Sequence, residues 1–233
     1  MSYSEFYPLA AEAVPSERVA FIRRTYNHLA GALVAFVGLE ALLLNLPVAE
    51  QSVFFLASSR WSWLLVLGCF IAVAWAADRW AQSDMPVPMQ YVGLGLYVVA
   101  EALLFMPLLY VADRYFPGTI LSAGLLTLGL FLALTTFVFV TGKDFSFLRG
   151  TLFLASLVAF LTILAAIIAG FQLGVLFSAL MILLAGGYIL YDTSNVLHHY
   201  RTNQHVAASL ALFASVVLLF WYILRLLMAL QRR

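Results

Sequence analysis

Long apolar stretches separated by short polar breaks set the pattern of this chain. Seven can be marked, at residues 26–46, 61–77, 91–112, 119–142, 150–171, 173–191 and 206–230. A helix rises about 1.5 Å per residue and a bilayer's hydrocarbon core is about 30 Å thick, so about 20 apolar residues cross once. Each stretch is expected to be a membrane-spanning helix, and the fold class all-α. Only Gln172 divides the fifth stretch from the sixth. As one helix, residues 150–191 would be about 63 Å long, twice the core thickness. Gly170 and Gly174 supply the freedom for a tight hairpin, so two spans are expected there. Pro47, Pro86, Pro88 and Pro117 fall near span ends, whereas Pro107 lies within the third span and predicts a kink.

Composition turns this pattern into an exclusion. Hydrophobic residues make up 64% and charged residues 10%, with mean hydropathy +1.00; a soluble domain carries about 25% charge. Too little polar surface is available for a water-facing globule, so a soluble enzyme, a nucleic-acid binder and a disordered chain are excluded, and the first partner is the lipid bilayer. The expected organisation is an N-terminal segment (1–25), a single seven-helix domain (26–230) and a short tail (231–233). Residues 1–17 hold Glu5, Glu12 and Glu17 and no base. A secretory signal needs a basic start, so the first span is expected to stay in the mature protein.

Basic residues in short loops set orientation. With a cytoplasmic N-terminus, Arg18, Arg23, Arg24, Arg79, Lys143, Arg149 and Arg201 lie inside, against Arg60, Arg114, Arg232 and Arg233 outside. The multi-pass chain is therefore expected with its N-terminus in the cytoplasm. A re-entrant last helix, in a six-span alternative, would bring Arg232 and Arg233 inside as well.

Charges within the membrane are expensive and so are functional candidates: Glu40, Glu101, Asp192 and Arg225. Glu40 lies about 21 Å along its span and Arg225 about 28 Å along its own, both in the outer half. They are candidates for an ion pair; alternatively Arg225 reaches the outer headgroups and leaves Glu40 alone. Glu101 sits about 15 Å deep, near the midplane, as a packing residue or part of a polar path. Asp192 closes the sixth span, where an acid opposes the helix dipole. If the helix continues, Tyr188, Asp192, Asn195 and His199 share one face, a polar stripe opening to the cytoplasm. If it stops, Asp192 is a solvated loop residue. In the last span Ala211, Ser215, Leu218, Tyr222 and Arg225 also share a face, suited to a helix packed inside a bundle.

Catalysis finds no support. There is no His-Glu-x-x-His, no Gly-x-Gly-Asp and no Gly-x-Ser-x-Gly motif. A retinal-type Schiff base needs a lysine within the membrane, and the one lysine, Lys143, lies in a loop. Adjacent His198 and His199 point about 100° apart on a helix, so no metal pair is expected and no cofactor is required.

Several segments resemble the Bax inhibitor-1 family of polytopic membrane proteins. They are Arg23-Arg24-Thr25-Tyr26, Gly142-Lys143-Asp144-Phe145-Ser146-Phe147-Leu148, Gly187-Tyr188-Ile189-Leu190-Tyr191-Asp192-Thr193-Ser194-Asn195, and the last span from Ala208 to Leu227. The resemblance implies a seven-helix bundle with the last helix central. It also implies, for some members, a pH-sensitive calcium leak closed by two aspartates that share a proton, one on span six and one on span seven. Asp192 matches the first; Ser215 stands at the second position, so one carboxylate is missing. The implied site is Asp192 with Ser215 and Asn195 beside it, gating calcium or protons, with calcium as a transported or bound ion. By span counting Ser215 lies about 14 Å deep, so Asp192 reaches it only if the sixth helix is displaced or the cytoplasmic side is hollow. Ser215 together with Asp-Thr-Ser-Asn-Val-Leu-His resembles the bacterial YccA-like branch, inner-membrane modulators of the membrane-bound AAA protease FtsH. For such a partner the acidic residues 1–17 would be the handle, unless they form an ordinary flexible terminus.

Overall fold

The computed structural model describes residues 7–82 and 85–231, and all its regular elements there are helical. Eight helices follow in order: α1 (Pro15–Leu43), α2 (Pro47–Ser58), α3 (Arg60–Ala81), α4 (Val87–Tyr115), α5 (Thr119–Thr141), α6 (Leu148–Ala169), α7 (Val175–His198) and α8 (His205–Gln231). Seven are long and apolar enough to cross a bilayer. The exception, α2, has 12 residues, about 18 Å of helix, too short to cross. Pro47 at its first turn starts it, a position where the missing N–H costs nothing. Sequence reading leaves this segment as a connection.

The expected hairpin divides α6 from α7: Gly170 caps α6 in the left-handed region at φ 77°, and α7 starts after Gly174. α4 runs through Pro107 without a break in the helix. Helix ends shift most where polar residues adjoin a span. α1 begins at Pro15, so Arg18, Arg23 and Arg24 are already helical, and α7 continues past Asp192 to His198.

The last helix forms the axis. Of its most apolar window 72% is buried, against 50% for α4 and 11% for both α3 and α6. α7, α1, α5, α4 and α3 pack along α8, while α6 packs on α7 and α3 at the outside. α1 turns one stripe inward, Phe21, Thr25, Leu29, Ala32, Phe36 and Glu40. Its spacing is the 3.6-residue period of an amphipathic face. Phe36 meets Phe213 of α8 edge-on at 6.0 Å. α3 and α4 approach most closely at Gly93, where a Cβ would stand 2.6 Å from the Ala77 carbonyl oxygen. Only glycine permits that backbone distance.

Part of the N-terminal segment is fastened to the α7–α8 connection. The Ala10 N–H donates to the Tyr200 carbonyl at 2.8 Å, and the Thr202 N–H to the Pro8 carbonyl at 3.1 Å. Arg201 donates to the Tyr7 carbonyl, and Ala10 is fully buried. Within the described residues this is a docked strap, which a free-terminus reading does not anticipate.

Candidate functional site

Polar residues continue α7 because each finds a place inside the bundle. Asp192 is 7% exposed, and Thr193 and Ser194 are fully buried. The Ser215 hydroxyl, on α8, donates to Asp192 Oδ2 at 2.5 Å. The expected Asp192–Ser215 pair is therefore made, and the depth objection dissolves. Asp192 lies about 9 Å inside the end of α7, and Ser215 about 15 Å inside the start of α8. The 199–204 connection and the strap cover the remaining difference. No second carboxylate bonds to Asp192 among the described residues.

Other members of the expected polar stripe diverge. The Tyr188 hydroxyl bonds to Ser156 on α6 at 2.9 Å. Asn195 does not join the Asp192–Ser215 pair. It lines a cavity of about 400 Å³ with Arg149, Tyr191, His199 and Gln204 at the end of the bundle that carries the strap. The i, i+3 and i+4 positions cover a broad arc of helix, enough to face α6, α8 and this cavity at once.

The 142–147 connection closes one side of that cavity. Ser194 Oγ accepts the Phe145 N–H at 2.8 Å and donates to Asp144 Oδ1 at 3.2 Å. Asp144 Oδ2 pairs with His199 Nε2 at 3.0 Å. The Ser146 backbone N–H, helped by the Ser146 and His199 side chains, holds the Asp144 carboxyl down to about 2 against a slight burial effect. The Lys-Asp-Phe-Ser-Phe-Leu segment is thus a buckle that ties the connection to α7. In the sequence Asp144 stands out only as part of the 142–148 segment, with no partner indicated. His198 ends α7 and His199 caps it; of the two, His199 is the one that pairs with Asp144.

Glu40 and Arg225 do not pair. Both Glu40 oxygens are buried without a hydrogen-bond partner. Arg225 lies over the Tyr222 ring of its own helix at 6.0 Å. Depth estimates put the two at one level, but azimuth separates them. Phe213 turns toward α1, and Tyr222, about 180° round α8, turns toward Phe177 of α7. Arg225 follows Tyr222 by three residues and stays on that side. Glu101 is 6% exposed, with the Tyr97 hydroxyl, one turn earlier on α4, as its polar neighbour. It stands apart from Asp192.

One group escaped sequence reading. The hydroxyls of Tyr26 on α1, Thr135 on α5 and Thr193 on α7 lie near one another, buried, without closing a hydrogen bond. Thr193 follows Asp192 directly in α7, so one of these unpaired oxygens belongs to the residue next to the acid. Threonines in apolar helices give no signal that marks such a cluster.

Comparison with known proteins agrees with this architecture. Residues 18–233 match the family described as inhibitor of apoptosis-promoting Bax1. The chain is 32% identical to Bax inhibitor 1 of Schizosaccharomyces pombe over 224 residues, covering 95% of this chain and 80% of that protein. It is 29% identical to Protein LIFEGUARD 4 of Arabidopsis thaliana over 225 residues, covering 92% and 86%. A shorter match, 32% over 118 residues and half of each chain, is to the Golgi anti-apoptotic protein of vaccinia virus. With six membrane-length helices around a buried seventh, and a family match that runs from α1 to the C-terminus, the chain belongs to the Bax inhibitor-1 family.

Proposed function

We propose that this protein is a pH-sensitive cation leak, for calcium or protons, controlled where Asp192 meets Ser215. The single observation that carries the reading is the buried Asp192–Ser215 hydrogen bond between α7 and the central α8. An ionised carboxylate accepts from a hydroxyl, and a protonated one can also donate, so gain or loss of a proton changes how the two helices join. The polar cavity lined by Asn195 and Tyr191 lies on one side of this contact. The unpaired hydroxyls of Tyr26, Thr135 and Thr193 offer oxygen partners to a cation or water on the inner side.

With one carboxylate instead of two, the switch titrates as a single group. A carboxylate dyad would split into two coupled steps. Ser215 therefore gives a pH response no steeper than one proton. The reading places no catalysis in the chain and requires no cofactor. Its basic residues favour a cytoplasmic N-terminus, and the resemblance to the YccA-like branch favours an inner membrane.

Reconstitution into liposomes with an enclosed calcium or pH dye tests the proposal. Flux should exceed that of empty vesicles and change in Asp192→Asn. Flux no greater than empty vesicles removes the leak, and unchanged flux in the variant removes Asp192 from control.

The alternative is a non-transporting modulator of a membrane-bound AAA protease of the FtsH type. It has less support, because Tyr7, Pro8 and Ala10 of the acidic stretch are already bonded to the α7–α8 connection. Co-purification from membranes with and without residues 1–17 decides. Recovery of a protease only with the intact chain favours the modulator, and no recovery in either form counts against it.

A further inference from the structure

Three ligand-type atoms from three helices converge away from Asp192, at the end of the bundle where α1 carries Arg24. His28 is on α1, Tyr91 on α4, and His205 opens α8. His28 Nε2 stands 3.1 Å from the Tyr91 hydroxyl oxygen, and His205 Nε2 stands 3.4 Å from the same oxygen. The two imidazole centroids are 5.1 Å apart.

The hydrogen bonds fix one tautomer. His28 Nδ1 is 2.6 Å from the Arg24 carbonyl oxygen. A carbonyl only accepts, so Nδ1 carries the hydrogen and the neutral ring keeps its lone pair on Nε2. A metal-ligating histidine is held in this way, with its other nitrogen donating to a backbone carbonyl. His205 Nδ1 is buried without a partner. Nothing therefore fixes the tautomer of His205, and its Nε2 is free to offer a lone pair as well.

Spacing agrees with chemistry. Ligand atoms bound tetrahedrally at about 2.0–2.1 Å stand about 3.3 Å from one another; the two observed separations bracket that value. Among the described residues no three His, Cys, Asp or Glu side chains gather, so Tyr91 completes the set. Tyr91 is 41% exposed, which leaves the point of convergence open to solvent and a fourth position open to water.

We propose that His28, Tyr91 and His205 form a binding site for a divalent transition metal of the zinc class. The metal takes the place of the Tyr91 hydroxyl proton, which leaves to solvent, one proton per ion bound. The resulting phenolate offsets the nearby Arg24 charge. Bound metal ties the central helix to α1 and α4.

The test uses the full chain in detergent micelles, stripped with a chelator and titrated with Zn²⁺ by calorimetry and with Co²⁺ by visible absorption. One ion per chain should bind, with proton release and a Co²⁺ ligand-field spectrum. His28→Gln, His205→Gln and Tyr91→Phe should each weaken binding at least about tenfold. A combined His198→Gln and His199→Gln variant should bind as the parent does. Tyr91→Phe keeps the ring, and so carries the test if a histidine variant fails to fold. Absence of saturable binding by the parent, parental affinity in Tyr91→Phe or in both single-histidine variants, or loss of binding in the His198/His199 variant would each overturn the site.

Discussion

Asp192 and Glu40 are both acids sealed inside the bundle, 7% and 4% exposed, yet only one has a partner. Asp192 accepts from Ser215 across the α7–α8 interface. Glu40 occupies the next place after Phe36 on the buried stripe of α1, and its oxygens meet no donor. Helix phase alone explains where Glu40 lies. It does not explain Asp192, whose bond joins two helices distant in sequence. Burial therefore does not distinguish the two acids; a specific partner on the axial helix does.

Removing that partner should make Asp192 resemble Glu40. Ser215→Ala leaves a buried acid with a lost donor, and should lower stability by about 1–2 kcal/mol, read as thermal unfolding in detergent. A double-mutant cycle with Asp192→Asn should return a coupling of about 0.5–1.5 kcal/mol. Zero coupling would erase the distinction between the two acids.

A smaller effect belongs to Asp144, an acid that is partnered but exposed. Its folded value lies below the ordinary one, so its contribution is present above about pH 4 and lost as pH falls through about 2. Solvent screening keeps that contribution below about 1 kcal/mol. The gap in melting temperature between the parent and Asp144→Asn should therefore close across that window. A gap that persists below pH 2 would mean that the buckle works through packing instead of charge. Smallest of all is Glu40→Gln, which breaks no bond and exchanges one buried unpartnered polar group for another of nearly the same size, and should change stability by less than about 0.5 kcal/mol. A large loss would reveal a partner for Glu40 and place it beside Asp192.

Much of the architecture was legible in the residues. Apolar length marked seven spans, and Gly170 with Gly174 marked the hairpin. What hydropathy could not see was the continuation of α7 through Asp192-Thr193-Ser194-Asn195, because a scale that ends a helix at the first polar run ignores partners on other helices. Span counting by hydropathy therefore makes Asp192 seem too shallow for Ser215, although the family resemblance pairs the two positions. For Glu40 and Arg225 depth was readable and azimuth was not, since the rotation of α8 depends on where Phe213 and Tyr222 pack. α2 was too short for a span signal. His28, Tyr91 and His205 lie in three separate helices, and no spacing rule links them.

The most direct test of the central claim is the pH profile of ion flux through reconstituted protein, parent against Asp192→Asn, between about pH 5 and about pH 8. The account predicts that the parent's flux changes with pH along a one-proton curve and that the variant's is flat. The same pH-dependent profile in both would contradict it.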